Sequence, residues 1–287
     1  MPRHSAQRYR GTRRSGRSRL VNIAIRQSPS APEAANDSAR RRLSTQVQDR
    51  ASLESQTVDA MYALYSTYYE ATSHERFIAD LRDKDAVVVL RDEAAALIGF
   101  SSLAIIDTTV DGQRLRAIYS GDTIIDRAHW GTQALAFTWI RHAGAVKAQV
   151  PDCPLYWFLI VKGHRTYRYL SAFSIDFHPH WQHPTPASAQ SIMGHLARDR
   201  FNAAYDEKRG VVSFPQSRGH LKPMWANIET EEASRPDVNY FLERNPGYIY
   251  GDELVCLTEL SLANLRPLAR RVFAQGLFAR APQGLCP

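Results

Sequence analysis

The sequence predicts an α/β domain of the α+β kind, with a mixed, mostly antiparallel central sheet flanked by helices, behind an arginine-rich N-terminal segment. Three observations predict it. Residues 86–123 read as three consecutive strands, two of them joined by the Asp111-Gly112 hairpin signal. Apolar residues recur at helical spacing on either side of that block. Leu155–Val161 is apolar throughout, as suits a central strand covered on both faces.

Residues 1–45 read as a disordered tail. Up to residue 44 the segment carries 11 Arg and no Lys against Glu33 and Asp37, a net charge of +9 in a chain whose total is +7. Such a segment buries too little apolar surface to offset its ordering entropy. Inert disorder, a targeting segment and an upstream extension all fit it. The rest of the chain carries a net −2, so the basic character is not on the body of the protein, and nucleic-acid binding by a folded surface is disfavoured. The tail alone keeps nucleic-acid association open.

The body begins with a helix over Ser52–Ala71. Its Val58, Met61, Tyr62, Tyr65, Tyr68 and Tyr69 fall on one face, either as core or with one tyrosine lining a cleft. A short helix follows at His74–Leu81. Strands are expected at Ala86–Leu90, at Ala95–Ile106, where Gly99 marks a bulge or a close approach, and at Leu115–Thr123. A turn then leads into a helix through Ala143. Strand Leu155–Val161 precedes a helix over Gly163–Phe173. His178–Pro186 is a proline-broken loop and Ala187–Tyr205 a helix. Val211–Phe214 and Leu254–Leu260 are a final strand pair closing the sheet. A mixed sheet with helices on its faces is the natural packing of this order.

Several function classes are excluded. No apolar run approaches the ~18–20 residues of a transmembrane helix. Cys153, Cys256 and Cys286 are odd in number and far apart, which favours a reducing, cytoplasmic setting over a disulfide scaffold or a cysteine zinc site. Neither a GxSxG elbow nor a GxxxxGK(S/T) loop is present. Asp176, His178, His180 and His183 form a D-x-H-x-H-x-x-H run, but Pro179 and Pro184 impose loop geometry and nothing completes a familiar ligand set. No metal is expected.

The order of elements, with Ala128-His129-Trp130-Gly131-Thr132-Gln133 between the third strand and its following helix, resembles the GNAT acyltransferase superfamily, most densely over residues 86–173. In that superfamily the loop has the form Gln/Arg-x-x-Gly-x-Gly/Ala, and its amides hold the CoA pyrophosphate at a helix N-terminus. Here the match is degraded. Gly131 takes the first glycine position, while Ala128 and Gln133 replace the flanking ones. Arg127, His129 and Thr132 supply charge or a hydroxyl, and Trp130 reshapes the turn.

The resemblance implies a pantetheine arm lying between the third strand and Leu155–Val161, and a tyrosine general acid on the next helix. Tyr167 and Tyr169 are the candidates. Arg165 and Arg168, at i and i+3, would meet a phosphate of CoA or of a carrier-bound phosphopantetheine, unless they form a solvated face. Asp122, after Gly121, is the first candidate for the base that activates an amine, with a turn-capping role as the alternative.

The resulting expectation is a single domain over residues 46–287, with an insertion at about 174–209 whose Phe177, Trp181, Phe201 and Tyr205 suit an apolar acyl chain. Its function would be transfer of an acyl group from acyl-CoA or an acyl carrier protein to a small-molecule or peptide amine. A catalytically silent domain of the same fold that binds acyl-CoA or a protein is the rival.

Overall fold

The computed structural model describes residues 43–279; the expected tail, apart from its last residues, lies outside the described residues. Strand β1 (Ser44–Asp49) comes first, then helix α1 (Ser55–Tyr68), the two-residue strand β2 (Tyr69–Glu70) and α2 (His74–Arg82). Strands β3 (Ala86–Arg91), β4 (Leu97–Val110) and β5 (Gln113–Ile125) form the meander. After it come α3 (Ala134–Gln149), β6 (Leu155–Val161), α4 (His164–Phe173) and α5 (Ala187–Phe201). The remainder is β7 (Tyr205–Asp206), β8 (Val211–Val212), β9 (His220–Leu221), α6 (Pro223–Ala226), α7 (Thr230–Ala233), α8 (Pro236–Arg244), β10 (Glu253–Glu259) and α9 (Pro267–Leu277).

The main sheet has eight strands in the order β1-β3-β4-β5-β6-β10-β8-β7, and β2 with β9 forms a separate two-stranded ladder. Every neighbouring pair in the main sheet is antiparallel except β5–β6. That parallel step requires a crossover, and α3 supplies it. The mixed, mostly antiparallel sheet is the one the sequence predicts, and α1-α2-β3-β4-β5-α3-β6-α4 is the order the GNAT resemblance implies.

Local chemistry explains the joints. Asp111 and Gly112 both take positive φ, 50° and 80°, as a two-residue hairpin turn of the twist-compatible type demands. Helix α2 is capped by Ser73, whose side chain accepts from the Arg76 N–H. The ladder shifts register between β3 and β4 beside Gly99, where an added Cβ would press on the Ile124 carbonyl. Gly99 therefore serves both expected roles, bulge and close approach.

Three apolar clusters cover the two faces of the sheet. Val88, Leu90, Leu103, Ile118 and Leu159 meet Leu135, Trp139 and Ile140 of α3, Leu170 of α4 and Phe273 of α9 on one face. On the other face Val87, Val89 and Phe100 meet Met61, Leu64 and Tyr65 of α1 and Phe77 of α2. Farther along that same face Ala117, Tyr119, Phe158 and Val255 meet Met193, Leu196 and Ala197 of α5. Helices α3 and α9 touch backbone to backbone. A Cβ on Gly144 would collide with the Phe273 carbonyl, and one on Gly276 with the Arg141 carbonyl.

Some expectations need correction. The first element of the sheet is β1, in a segment whose polar alternation Ser44-Thr45-Gln46-Val47-Gln48-Asp49 carries little apolar signal because only an edge position is needed. The helix expected over Ala187–Tyr205 stops at Phe201, since Asn202 adopts a φ of 47° and turns the chain into a short 3-10 segment. The strand expected at Val211–Phe214 pairs only through Val212. Helix α9 was not expected at all.

Candidate active site

The site begins with an irregularity in the sheet. Ser101 pairs with Thr123 and Leu103 with Ser120, so Gly121 and Asp122 together oppose Ser102. This is a β-bulge, which re-aims the side chain it carries. A Cβ at Gly121 would press on Ser102 Oγ and Lys84 Cε, side-chain ends that would have to turn aside.

At the same level β5 and β6 separate. Their parallel pairing runs from Arg116↔Leu155 to Ser120↔Leu159 and goes no farther, although β5 continues to Ile125 and β6 to Val161. Trp157 closes the foot of the split by donating from its buried Nε1 to Ser120 Oγ at 2.9 Å.

A cavity of about 440 Å³ occupies the split. Because α1 and α2 cover one end of their sheet face and α5 the other, the cavity also opens between them. Its apolar wall is Leu135, Ala136, Trp139, Trp157, Leu159, Tyr169 and Phe173. Trp139 and Trp157 pack with centroids 4.7 Å apart, and the buried Nε1 of Trp139 has no hydrogen-bond partner.

Its opposite wall is ionisable: Asp122 on β5, Lys162 just after β6, Glu253 on β10, Lys84 after α2, and Tyr65, Tyr69 and Tyr119. Lys162 Nζ stands 3.5 Å from Glu253 Oε1, with the two side chains 14% and 10% exposed. Burial raises the carboxyl pKa of both Asp122 and Glu253, and the Lys162 charge only partly offsets it. Burial acts against the charged form of Lys162 too, but Glu253 and Asp122 overcome that and hold its pKa above the ordinary lysine value. Lys84 goes the other way, lowered chiefly by burial and then by Arg200. Tyr65, Tyr69 and Tyr119 are all raised, mainly by burial, and stay protonated at neutral pH. Carboxyl groups with raised pKa beside a cleft are what proton-transfer chemistry near neutrality requires.

The structure distributes the sequence candidates unevenly. Asp122 lines the cavity, from a bulge rather than from a turn cap. Tyr169 also lines it, stacked on Phe173 at 5.6 Å and 38% exposed. Tyr167 does not. It is fully buried among Phe177, Trp181, Tyr240 and Phe241, and its hydroxyl donates to the Pro179 carbonyl at 2.8 Å. The two positions differ as a helix requires of residues two apart.

Arg168 is already engaged, at 3.6 Å from Glu232 and 3.4 Å from Asp237, carboxylates of α7 and α8. Arg165 lies over the Trp130 ring and donates to the Trp225 carbonyl. Neither arginine lines the cavity.

Residues Arg127–Gln133 lie between Ile125 and Leu135, which line the cavity, and do not line it themselves. Arg127 to His129 form a 3-10 turn capped by the Asp126 carboxylate, which accepts from the Ala128 N–H. Trp130 is built into the turn: its Nε1 donates to the Ile125 carbonyl, and its ring meets Tyr68 and Trp225. The Arg127 guanidinium lies 5.3 Å from the Trp225 ring centre, and the Arg127 backbone N–H donates to the Tyr68 hydroxyl. The ring of His129 is largely buried, with Nδ1 3.7 Å from Asp126 Oδ1. Gly131 has a φ of 93°, with open space where a Cβ would stand. Thr132 Oγ1 caps the Ala134 N–H, and Gln133 is the residue preceding α3. Within the expected insertion, Phe201 lines the cavity and Phe177 is core.

Sequence reasoning missed Lys162, Glu253, Lys84 and Trp139. Lys162, directly after seven apolar residues, was the available signal. Glu253 carried none, because its role depends on β10 pairing beside β6, with Leu254 opposite Val161.

The sequence matches no family model and no curated protein. Among solved structures, a conserved protein from Enterococcus faecalis described as a probable N-acyltransferase aligns at 15% identity and a TM-score of 0.36, over 47% of this chain and 33% of its own. This chain thus spans one third of that protein's length. A GNAT family N-acetyltransferase of Escherichia coli in complex with CoA aligns at 16% identity and 0.33, over 49% and 72%. An acetyltransferase of Trypanosoma brucei aligns at 16% identity and 0.34, over 50% and 99%. Each is similar to part of the fold.

Proposed function

We propose that this protein transfers an acyl group from a phosphopantetheine thioester, either acyl-CoA or an acylated carrier protein, to an amine. The observation that carries this reading is the cavity in the β5–β6 split, apolar along α3 and α4 and ionisable along β5, β6 and β10. An extended, mostly apolar pantetheine arm fits the first wall, and the buried Trp139 Nε1 offers a donor to one of its amide carbonyls. The second wall receives the amine.

In the reaction the amine nitrogen attacks the thioester carbonyl carbon, forming the C–N bond and breaking the C–S bond. Asp122 takes the proton released by the amine, directly or through one water. Tyr169 gives its phenolic proton to the departing thiolate. Lys162 opposes the effect of burial on Asp122 and Glu253, and so favours a carboxylate available as base. The Arg127–Gln133 turn, open at Gly131, takes the phosphate end of the donor. We read the described chain from β1 to α9 as one domain and about 174–209 as the insertion that shapes the acceptor side.

The test is thiol release from an acyl-CoA series, from acetyl to decanoyl, and from an acylated carrier protein, in the presence of small-molecule and peptide amines. Amine-dependent release that Asp122→Asn lowers ~10²-fold or more supports the reading. Donor binding without turnover would indicate a silent acyl-CoA-binding domain. Neither binding nor release with any donor would overturn the proposal.

A further inference from the structure

Asp176, His178 and His183 meet on the segment between α4 and α5, outside the cavity of the acyl-transfer reading. One carboxylate oxygen and one nitrogen of each imidazole all lie within 4.8 Å of one another. Asp176 Oδ1 is 3.4 Å from His183 Nε2, and Asp176 Oδ2 is 3.8 Å from His178 Nε2. Neither contact has the combined distance and alignment of a hydrogen bond. The two distances are close to the ~3.3 Å that separates two ligands bonded at ~2.0–2.1 Å to one tetrahedral ion.

The rest of the cluster fits that use. The His178 side chain is only 12% exposed, and its Nε2 faces Asp176 Oδ2 beyond hydrogen-bond reach, at 3.8 Å. The Nδ1 of His183 faces the Pro184 carbonyl at 3.4 Å, which leaves Nε2 toward Asp176. A ligating histidine typically anchors its second nitrogen in this way.

The backbone beneath is fixed. His178 exchanges both backbone hydrogen bonds with Leu257 of β10, at 2.8 Å each. The Asp176 carbonyl accepts from Thr258 Oγ1 and Asn264 Nδ2, and its N–H donates to Asn264 Oδ1. Ligand spacing is therefore held by β10 and not by the loop alone.

We propose that Asp176, His178 and His183 bind one divalent transition-metal ion of the zinc type. Two imidazoles and one carboxylate suit first-row metals such as Zn²⁺ and not Ca²⁺ or Mg²⁺, which require mostly oxygen ligands. Water completes the coordination, since Asp176 and His183 are half exposed. The role is structural. Leu257 lies four residues along β10 from Glu253, about 13 Å at the rise of a strand, so the ion clamps the 176–183 segment to the sheet away from the reacting groups.

The test uses the full chain without an affinity tag, stripped with chelator and titrated with Zn²⁺ against a chromophoric competitor. We expect one Zn²⁺ per chain at micromolar affinity or tighter. His183→Ala and Asp176→Asn, both at exposed side chains and so compatible with folding, should each weaken binding at least ten-fold. His74→Ala, which disrupts a separate exposed His–Asp pair, should leave it unchanged. Zn²⁺ should raise the melting temperature of wild type and not of His183→Ala. No binding tighter than millimolar, or a loss below ten-fold in either cluster variant, would overturn the proposal. None of these readouts depends on catalysis.

Discussion

Lys162→Met removes the cation from a wall that also holds Glu253 and Asp122. At 3.5 Å and an effective dielectric near 20, the Lys162–Glu253 attraction alone is about 5 kcal/mol, offset in part by the desolvation of both groups. Leaving a buried carboxylate without its partner costs about 3 kcal/mol by comparison with other broken buried pairs. We expect that loss at pH 8. The pH dependence has a definite sign. Asp122 and Glu253 already have raised pKa values in the folded protein, and without Lys162 they rise further. A raised carboxyl pKa favours the protonated form in the fold, so its stabilising contribution is present at low pH and lost as pH rises through the folded value. The penalty should therefore be smaller at pH 5 than at pH 8. In the Lys162→Met/Glu253→Gln double variant no unpaired Glu253 charge remains, and at least about 1 kcal/mol should return at pH 8. Urea unfolding at both pH values, with unchanged m-values, measures all of this. A penalty equal at pH 5 and pH 8, or a double variant weaker than the single one, would refute the electrostatic reasoning.

Three further outcomes follow from the same geometry. For Asp122→Asn, turnover should fall ~10²-fold or more with donor binding retained, and the acid limb of the wild-type pH–rate profile should lie above the ordinary carboxylate range, because burial raises the Asp122 pKa. Tyr169→Phe should lower turnover ~10²-fold with little change in melting temperature, whereas Tyr167→Phe should cost about 1–2 kcal/mol by orphaning the Pro179 carbonyl and leave turnover per folded molecule intact. Gly276→Ala should cost about 3 kcal/mol in urea unfolding by forcing α9 away from the Arg141 carbonyl on α3.

How far the sequence was legible depends on how local each signal is. The meander, the Asp111-Gly112 turn and the apolar β6 were readable because alternation, turn chemistry and burial on both faces are properties of short segments. Asp122 was readable by position, because it follows Gly121 at the end of the third strand, just before the turn into α3. Tyr167 and Tyr169 were not separable, since their fates depend on α8 and the 177–181 segment packing over one side of α4. Glu253 reaches the site through the placement of β10 beside β6, a pairing of residues 93 or more apart in sequence that no local pattern encodes. The Arg165–Arg168 pair reads in sequence either as a phosphate clamp or as a solvated face; acids from α7 and α8 pair with Arg168, and an aromatic ring faces Arg165, contacts that neither reading contains.

Donor binding in the β5–β6 split is the central claim, and the two tryptophans on its apolar wall report on it directly. Trp139 and Trp157 line the cavity beside Ala136, at the start of α3. Titration with an acyl-CoA or acyl-phosphopantetheine should change their fluorescence saturably. Ala136→Trp, which fills the space the pantetheine arm would take, should weaken binding at least ten-fold at an unchanged melting temperature. Binding of equal strength in the Ala136→Trp variant would contradict the account, because the donor would then lie elsewhere on the protein.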